Sequence, residues 1–235
     1  NTPNVARATT ADFGVFWSGQ GAAHTEGVHG RLYSLSAPDP IPGPSRLPAG
    51  DQFLVGETFA LEGSAPDIGV ADSGGFMATW ESFEEDGSGW SVYAQQYDAD
   101  GSPLALAFQV NSFVDGDQHA PAIASDASGN ALVVWQSFGQ DGDGYGVYGQ
   151  WFDSAGTAIG DEFLINVESN VGDQMSPDVV MMNTAADSVA LVTWQTDDGE
   201  GGNIHAKWFT SVGDTTGGSE FLVNTLQEGP QTAPS

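Results

Sequence analysis

The residues best suited to chemistry are the acidic side chains of three short, glycine-rich loops. These loops read Glu84-Glu85-Asp86-Gly87-Ser88-Gly89, Gln140-Asp141-Gly142-Asp143-Gly144 and Asp197-Asp198-Gly199-Glu200-Gly201-Gly202. Calcium takes about six to eight oxygen ligands, and alternating aspartate and glycine supplies both carboxylates and inward-turned carbonyls. The pattern predicts calcium as a cofactor, held by Asp86, Ser88, Asp141, Asp143, Asp197, Asp198 and Glu200.

Asp-Gly is also common turn chemistry, so the same loops are compatible with a purely structural role. None of them completes an EF-hand loop, which requires a longer acidic series that ends in glutamate. The sequence leaves both interpretations open.

Two aromatic residues, Trp90 and Tyr145, follow the first two loops at matching positions. An aromatic ring beside carboxylates suits a sugar, because the ring packs on the apolar face while the carboxylates accept hydroxyl hydrogen bonds. We therefore predict that Trp90 and Tyr145 bind a ligand. The alternative is that both rings fold back over the edge of their own sheet.

No catalytic motif is present in the sequence. There is no nucleophile elbow, no phosphate-binding glycine loop and no closely spaced histidine pair. The segment 125–129 is superficially similar to the aspartate boxes of sialidase propellers, but a sialidase needs three convergent arginines, and Arg7, Arg31 and Arg46 lie in one repeat. Carboxylate pairs for glycoside cleavage carry no information where carboxylates are so frequent. The sequence predicts no catalytic residues and no enzyme.

The charge of the chain is strongly negative, with 32 acidic and four basic residues and a formal net charge of −28. Phosphate backbones and anionic membrane surfaces would be repelled, so we expect no nucleic-acid partner. No apolar run is long enough for membrane insertion. Such a carboxylate surplus suits a secreted protein in salty or calcium-containing surroundings, a protein of a salt-adapted organism, or simply a well-solvated surface. We predict an extracellular or cell-surface location.

The acidic loops recur because the chain consists of four copies of one unit. The phenylalanines that close the copies are separated by 55, 55 and 58 residues. Other landmarks keep the same register: the opening prolines are Pro3, Pro66, Pro121 and Pro177, and the tryptophans that end an apolar run are Trp17, Trp80, Trp135 and Trp194. The copies span approximately 1–56, 57–111, 112–166 and 167–225, and 226–235 is a tail or the start of a further repeat.

Each copy predicts four short strands bounded by glycine, aspartate and serine clusters. The second strand is apolar at consecutive positions, which indicates that both of its faces are covered. The small residues at the middle of the third strand, Gly30, Ala94, Gly149 and Ala206, predict room for a neighbouring aromatic ring. We expect an all-β fold over 1–235, a four-bladed β-propeller of four-stranded antiparallel blades. A closed ring is favoured over a piece of a longer array, because an open row leaves edge strands exposed.

The repeat resembles those of large bacterial secreted and cell-surface proteins. It shares with them the series Gly-Asp-Gln, Pro-x-Ile-Ala, Leu-Val-Val-Trp-Gln-Ser, Asp-Gly-Asp-Gly-Tyr-Gly-Val-Tyr-Gly-Gln and Glu-Phe-Leu-Ile-Asn. The match is closest over 116–166, good over 66–111 and 172–224, and poor before 56. The resemblance implies an extracellular, non-catalytic, propeller-like module, and it identifies neither a ligand nor catalytic residues.

Three functions remain as hypotheses. The leading one is a non-catalytic extracellular binding or adhesion module, stabilised by calcium, that recognises a glycan or another surface component. The second is a structural subunit docked to partner chains in a larger extracellular assembly through the proline-rich first repeat, which contains the segment 37–44. The third, less favoured, is a carbohydrate-active enzyme.

Overall fold

The four repeats form four antiparallel sheets, each with its strands in chain order, as the sequence predicts. The computed structural model describes residues 4–7, 12–20, 26–34, 53–55, 63–168, 171–183, 187–197, 202–225, 231–232 and 234. The proline-rich segment 37–44 lies outside the described residues. No helix long and apolar enough to cross a membrane occurs among those described.

Each sheet is one blade, and the blades are numbered 1 to 4 along the chain. Blade 1 contains β1 (Asn4–Arg7), β2 (Asp12–Gln20), β3 (Glu26–Ser34) and β4 (Phe53–Val55). Blade 2 contains β5 (Gly63–Val70), β6 (Phe76–Phe83), β7 (Trp90–Tyr97) and β8 (Phe108–Gln109). Blade 3 contains β9 (Gln118–Ser125), β10 (Ala131–Phe138), β11 (Tyr145–Phe152) and β12 (Ala158–Leu164). Blade 4 contains β13 (Asp173–Asn183), β14 (Ser188–Asp197), β15 (Asn203–Phe209) and β16 (Phe221–Leu222).

Neighbouring blades meet through their first strands, since β1 contacts β5, β5 contacts β9 and β9 contacts β13. The first strands therefore surround the centre, and the fourth strands form the rim. This arrangement confirms the predicted four-bladed β-propeller. The contact region between blades 2 and 3 is called junction 2/3 below, and that between blades 3 and 4 junction 3/4.

The hydrophobic cores lie between blades. At junction 3/4, Leu132 and Val134 of blade 3 pack in one cluster with Val179 of blade 4. The tryptophans Trp80 and Trp135 are almost completely buried. A single repeat could not bury these faces alone, which explains why the pattern recurs so regularly.

The prediction of space beside the third strand is confirmed at two positions. A Cβ on Gly149 would lie 3.0 Å from Ile165 Cδ1 and 3.1 Å from Phe163 Cζ, and one on Gly30 would collide with Phe16 and Phe53. Glycine lets these side chains approach the backbone of the strand.

A buried amide pair connects each of two repeats to the next. Asn111 Nδ2 donates to Gln118 Oε1 at 2.9 Å, and Asn166 Nδ2 donates to Gln174 Oε1 at 2.7 Å. The asparagine closes one repeat and the glutamine opens the following one. These contacts explain the Gly-Asp-Gln and closing Asn landmarks of the sequence.

Candidate functional site

The first strands of blades 2, 3 and 4 share an irregularity immediately before a proline. The strand register shifts at this point in β5, β9 and β13. The residues before the prolines, Ala65, Ala120 and Ser176, have positive φ values of 48°, 50° and 51°. Left-handed backbone is unfavourable for residues with a Cβ, and such strain is held in place only by its surroundings.

The surroundings hold this bulge through a side chain from the preceding blade. Ala120 N donates to Glu81 Oε1 at 2.6 Å, and Ser176 N donates to Gln136 Oε1 at 2.9 Å. Glu81 and Gln136 occupy equivalent positions, directly after the buried tryptophans of blades 2 and 3. A neutral glutamine therefore suffices for the structural contact, and the charge of Glu81 requires another explanation.

That charge faces a histidine. His119 Nδ1 lies 3.5 Å from Glu81 Oε1, and the side chains are 26% and 10% exposed, respectively. Burial lowers the pKa of His119, but the hydrogen bond and charge of Glu81, together with the charge of Asp117, outweigh burial and raise it. The equivalent of His119 at junction 3/4 is Met175. Junction 2/3 thus holds an acid–imidazole pair where junction 3/4 holds neutral residues.

One predicted ligand-binding aromatic, Trp90, packs beside this pair, and the other, Tyr145, lies within range of its charges. The Trp90 ring lies 5.6 Å from the His119 ring, and Trp90 N donates to Asp117 Oδ1 at 3.1 Å. Burial raises the pKa of Tyr145, and the charges of Asp117, Asp173 and Glu81 raise it further. Both rings are half-buried, and they also pack on Phe83 and Phe138 of their own blades, with centroids 5.3 and 5.1 Å apart. Both rings thus pack on their own blades, and ligand binding by Trp90 and Tyr145 stays a prediction.

The predicted calcium ligands are distributed over separate loops. In blade 2, Asp86 accepts hydrogen bonds from Ser88 N, Ser91 Oγ and Gln109 Nε2. In blade 3, Asp141 Oδ1 accepts from Asp143 N at 3.1 Å, whereas Asp141 Oδ2 is buried and has no hydrogen-bond partner in the described part of the chain.

In blade 4, Asp197 is exposed at the end of β14, and Asp198 and Glu200 lie outside the described residues. Across the described ranges, no three or more histidine, aspartate or glutamate side chains are grouped to hold a metal ion. Calcium stays a prediction.

Two further carboxyl groups lie on the inner strands. Asp67 Oδ1 accepts from Ile68 N at 2.8 Å, and Oδ2 accepts from Ile123 N at 2.7 Å, which links β5 to β9. Asp178 occupies the equivalent position in blade 4. Burial raises the pKa of Asp178, and a hydrogen bond from Val179 N only partly opposes this.

Glu81 and His119 were not predicted as site residues, although the sequence carries a signal for Glu81. Glu81 stands where blades 3 and 4 have Gln136 and Gln195, and His119 stands where blade 4 has Met175. Glu81 departs from the glutamine of those two copies, whereas the position of His119 differs in all four copies. A comparison of the copies, position by position, would have identified Glu81.

Comparisons with known proteins give structural likeness only. No protein-family model and no curated protein matches the sequence. A GH43 endo-arabinanase from Bacillus licheniformis matches with a TM-score of 0.51 at 13% identity, over 96% of this chain and 80% of that chain. An endo-arabinase from Bacteroides thetaiotaomicron matches with a TM-score of 0.50 at 14% identity, over 97% of this chain and 76% of that chain. These likenesses support the propeller fold.

The comparisons also correct the functional expectation. The solved propellers named above are glycan-cleaving enzymes, and they overturn the predictions of a non-catalytic binding or adhesion module and of no enzymatic activity. Both predictions were wrong. Both predictions rested on the observation that carboxylates are too abundant in the sequence to identify a site. In the structure, one carboxylate, Glu81, is distinguished by its partner His119.

Proposed function

We propose that this protein is a carbohydrate-active enzyme that cleaves glycosidic bonds at junction 2/3. The observation that carries the proposal is the Glu81–His119 pair, with 3.5 Å between Oε1 and Nδ1. At junction 3/4, Gln136 makes the equivalent contact to the backbone, so this contact does not require the charge of Glu81. Perturbed titratable groups cluster at active sites, and here Glu81 and Asp117 raise the pKa of His119.

In the proposed reaction, His119 is the catalytic acid. The neighbouring carboxylates raise its pKa, so it keeps its proton at higher pH and can donate it to the departing sugar oxygen. The water molecule that completes hydrolysis adds its hydroxyl to the anomeric carbon, and its remaining proton passes to the neutral His119 imidazole, which restores the acid. Glu81 is a positioning residue, since it is mostly buried and fixes the orientation and charge of the imidazole.

Asp117 supplies the second negative charge of the site. Its charge acts on both His119 and the Tyr145 hydroxyl. Glycoside cleavage passes through a transition state with positive charge on the sugar ring. A nearby carboxylate stabilises that charge by preorganised electrostatics.

The substrate class follows from the aromatic rings and the fold. Trp90 and Tyr145 are half-buried rings beside carboxylates, an arrangement that suits the alternating apolar and hydroxyl surfaces of a sugar. The two solved propellers of similar fold are described as arabinanases. Arabinan is therefore the first substrate to test, followed by other plant and microbial glycans.

The decisive experiment replaces residues of junction 2/3 by those at the equivalent positions of junction 3/4. Glu81→Gln and His119→Met convert junction 2/3 into the residue types of junction 3/4, so folding should be preserved. Reducing-sugar release from arabinan, galactan and mannan is measured with the native protein and with both variants. We expect His119→Met to lower kcat/KM about 10²- to 10⁴-fold, the usual contribution of a general acid. Undiminished turnover by the folded His119→Met variant, or no turnover of any glycan by the native protein, would refute the proposal.

A further inference from the structure

A cavity of about 470 Å³ lies on the outer side of junction 2/3. Its walls are β8 and the following residues of blade 2, and the β11–β12 region of blade 3. Phe108 and Phe152 form the apolar part, with ring centroids 5.4 Å apart. Ser112, Asp161 and Glu162 line the polar part. Ligand pockets typically measure about 300–1,000 Å³ and combine apolar walls with a few polar groups, so this cavity is within that range.

The equivalent space at junction 3/4 is occupied by a lysine. Lys207 is buried, its Nζ donates to Ile165 O of blade 3 at 3.1 Å, and it lies 5.8 Å from the Phe209 ring centre. Phe163 and Phe209 reproduce the aromatic pair, with centroids 5.5 Å apart. The two junctions therefore share the aromatic pair and differ in the residue at the position of Lys207.

Gln150 is the counterpart of Lys207 at junction 2/3. Instead of crossing to blade 2, its Nε2 donates within its own blade, to Trp151 O at 2.9 Å and to Ile159 O and Gly160 O at 3.3 Å. Gln150 is only 5% exposed and lines the cavity. Since these bonds fix the amide nitrogen, Oε1 is the polar atom left to accept a bond from a ligand.

We propose that this cavity is a second glycan-binding site, separate from the Glu81–His119 site and specific for neutral sugars. The Phe108 ring offers a surface for the apolar face of a sugar. Gln150 Oε1 and the exposed Asp161 carboxylate accept hydrogen bonds from hydroxyl groups. The charged residues that line the cavity are Asp161 and Glu162, so a sugar that carries carboxylate or sulfate would be repelled.

The site holds a glycan while the inner strands act on it, and in this respect the inference rests on the proposed function. Its binding chemistry is independent of that function, because no residue of the Glu81–His119 site lines the cavity. Loss of the cavity should therefore weaken binding of oligosaccharides and leave the chemistry at His119 intact.

The test is a titration of the whole chain, followed by ¹H–¹⁵N correlation NMR, with arabino-, galacto- and manno-oligosaccharides. Oligogalacturonate serves as the anionic comparison. Gln150→Lys places in the cavity the side chain that fills junction 3/4, and Lys207→Gln is the matched exchange. Unfolding temperatures check that both variants are folded. We expect saturable shifts of amides 156–162 with at least one neutral oligosaccharide, at least tenfold weaker binding in Gln150→Lys, and unchanged binding at 156–162 in Lys207→Gln.

Three results would overturn the inference: no shift at 156–162 with any neutral oligosaccharide, an undiminished shift in folded Gln150→Lys, or equal binding of oligogalacturonate. Failure of the proposed function has a different signature, which is the absence of turnover together with normal shifts at 156–162. Conversely, glycan turnover without any shift of amides 156–162 would refute the second binding site and leave the proposed function standing.

Discussion

Asn166 Nδ2 donates a 2.7 Å hydrogen bond to Gln174 Oε1, and both side chains are completely buried. Asn166 Oδ1 in turn accepts from Val147 N at 2.7 Å. Gln174 Nε2 donates to Val171 O and Gly172 O. One asparagine thus connects the third strand of its own blade to the first residues of the next blade. The same pairing at Asn111 and Gln118 makes it a general feature of the repeat.

Replacing Asn166 by alanine should destabilise the protein strongly. The change leaves Val147 N and Gln174 Oε1 without their partners in a fully buried place, at about 1–3 kcal/mol for each group. We expect a loss of about 3 kcal/mol and a fall in Tm of roughly 6–12 °C for a chain of this size. Calorimetry measures the effect, with the exposed Ser128→Ala as control. A Tm within 2 °C or so of the native value would contradict the role of the pair.

The pH dependence of activity should report the Glu81–His119 contact. His119 acts in its protonated form, so kcat/KM falls as pH rises through the pKa of His119. Glu81 raises that pKa, and Glu81→Gln should therefore move the alkaline limb of the profile to lower pH. The residual activity of Glu81→Gln is followed against pH with arabinan. Identical alkaline limbs in the two proteins would show that Glu81 does not act through the imidazole.

Gly144 should not tolerate a side chain. Its φ is +38°, and a Cβ there would overlap Asp173 Oδ1, the acceptor of the Tyr145 N–H. Gly142 also has a positive φ, +95°, but open space surrounds it. Both alanine variants carry backbone strain of about 1 kcal/mol or more, and Gly144→Ala adds a steric clash. Chemical denaturation should give a much lower free energy of unfolding for Gly144→Ala than for Gly142→Ala. Equal free energies of unfolding would exclude the clash.

Asp178 should lower stability near neutral pH. Its folded pKa is raised by burial, so the group favours the folded state at low pH, and this contribution is lost as pH rises through the folded pKa. Asp178→Asn should therefore raise Tm at pH 7 and give no gain near pH 3. The exposed Asp161→Asn serves as the matched control. A gain for Asp178→Asn that is the same at both pH values would contradict this account.

Calcium binding, if the acidic loops provide it, should depend on Asp141 more than on Asp86. Asp141 Oδ2 is buried without a hydrogen-bond partner among the described residues, whereas Asp86 accepts bonds from three groups. Calcium at about 100 times its dissociation constant adds about 2.7 kcal/mol to the stability. We expect this rise in the native protein and in Asp86→Asn, and its loss in Asp141→Asn. Equal stabilisation by magnesium at the same ionic strength would reject the prediction.

Much of the fold could be predicted from the sequence because every signal is repeated. The run that ends in Trp135 is apolar at consecutive positions and is buried on both faces, and Gly149 provides the predicted space for Phe163. The site could not be located in the same way. Glu81 and Ala120 are 39 residues apart in the chain, and their contact depends on how two blades pack. Counting carboxylates hid Glu81, which stands where blades 3 and 4 have glutamine.

The bulges before Pro121 and Pro177 have a wider consequence. In each, the left-handed residue turns its backbone N–H toward the preceding blade, where a side-chain oxygen accepts the hydrogen bond. The acceptor belongs to Glu81 in one case and to Gln136 in the other. The backbone contact thus requires a single acceptor atom, which a charged and a neutral side chain both supply. At each of these junctions, the side chain that supplies the acceptor can differ while the fold is retained. The charge of the side chain at these equivalent positions can therefore change from one junction to the next while the same backbone contact is kept.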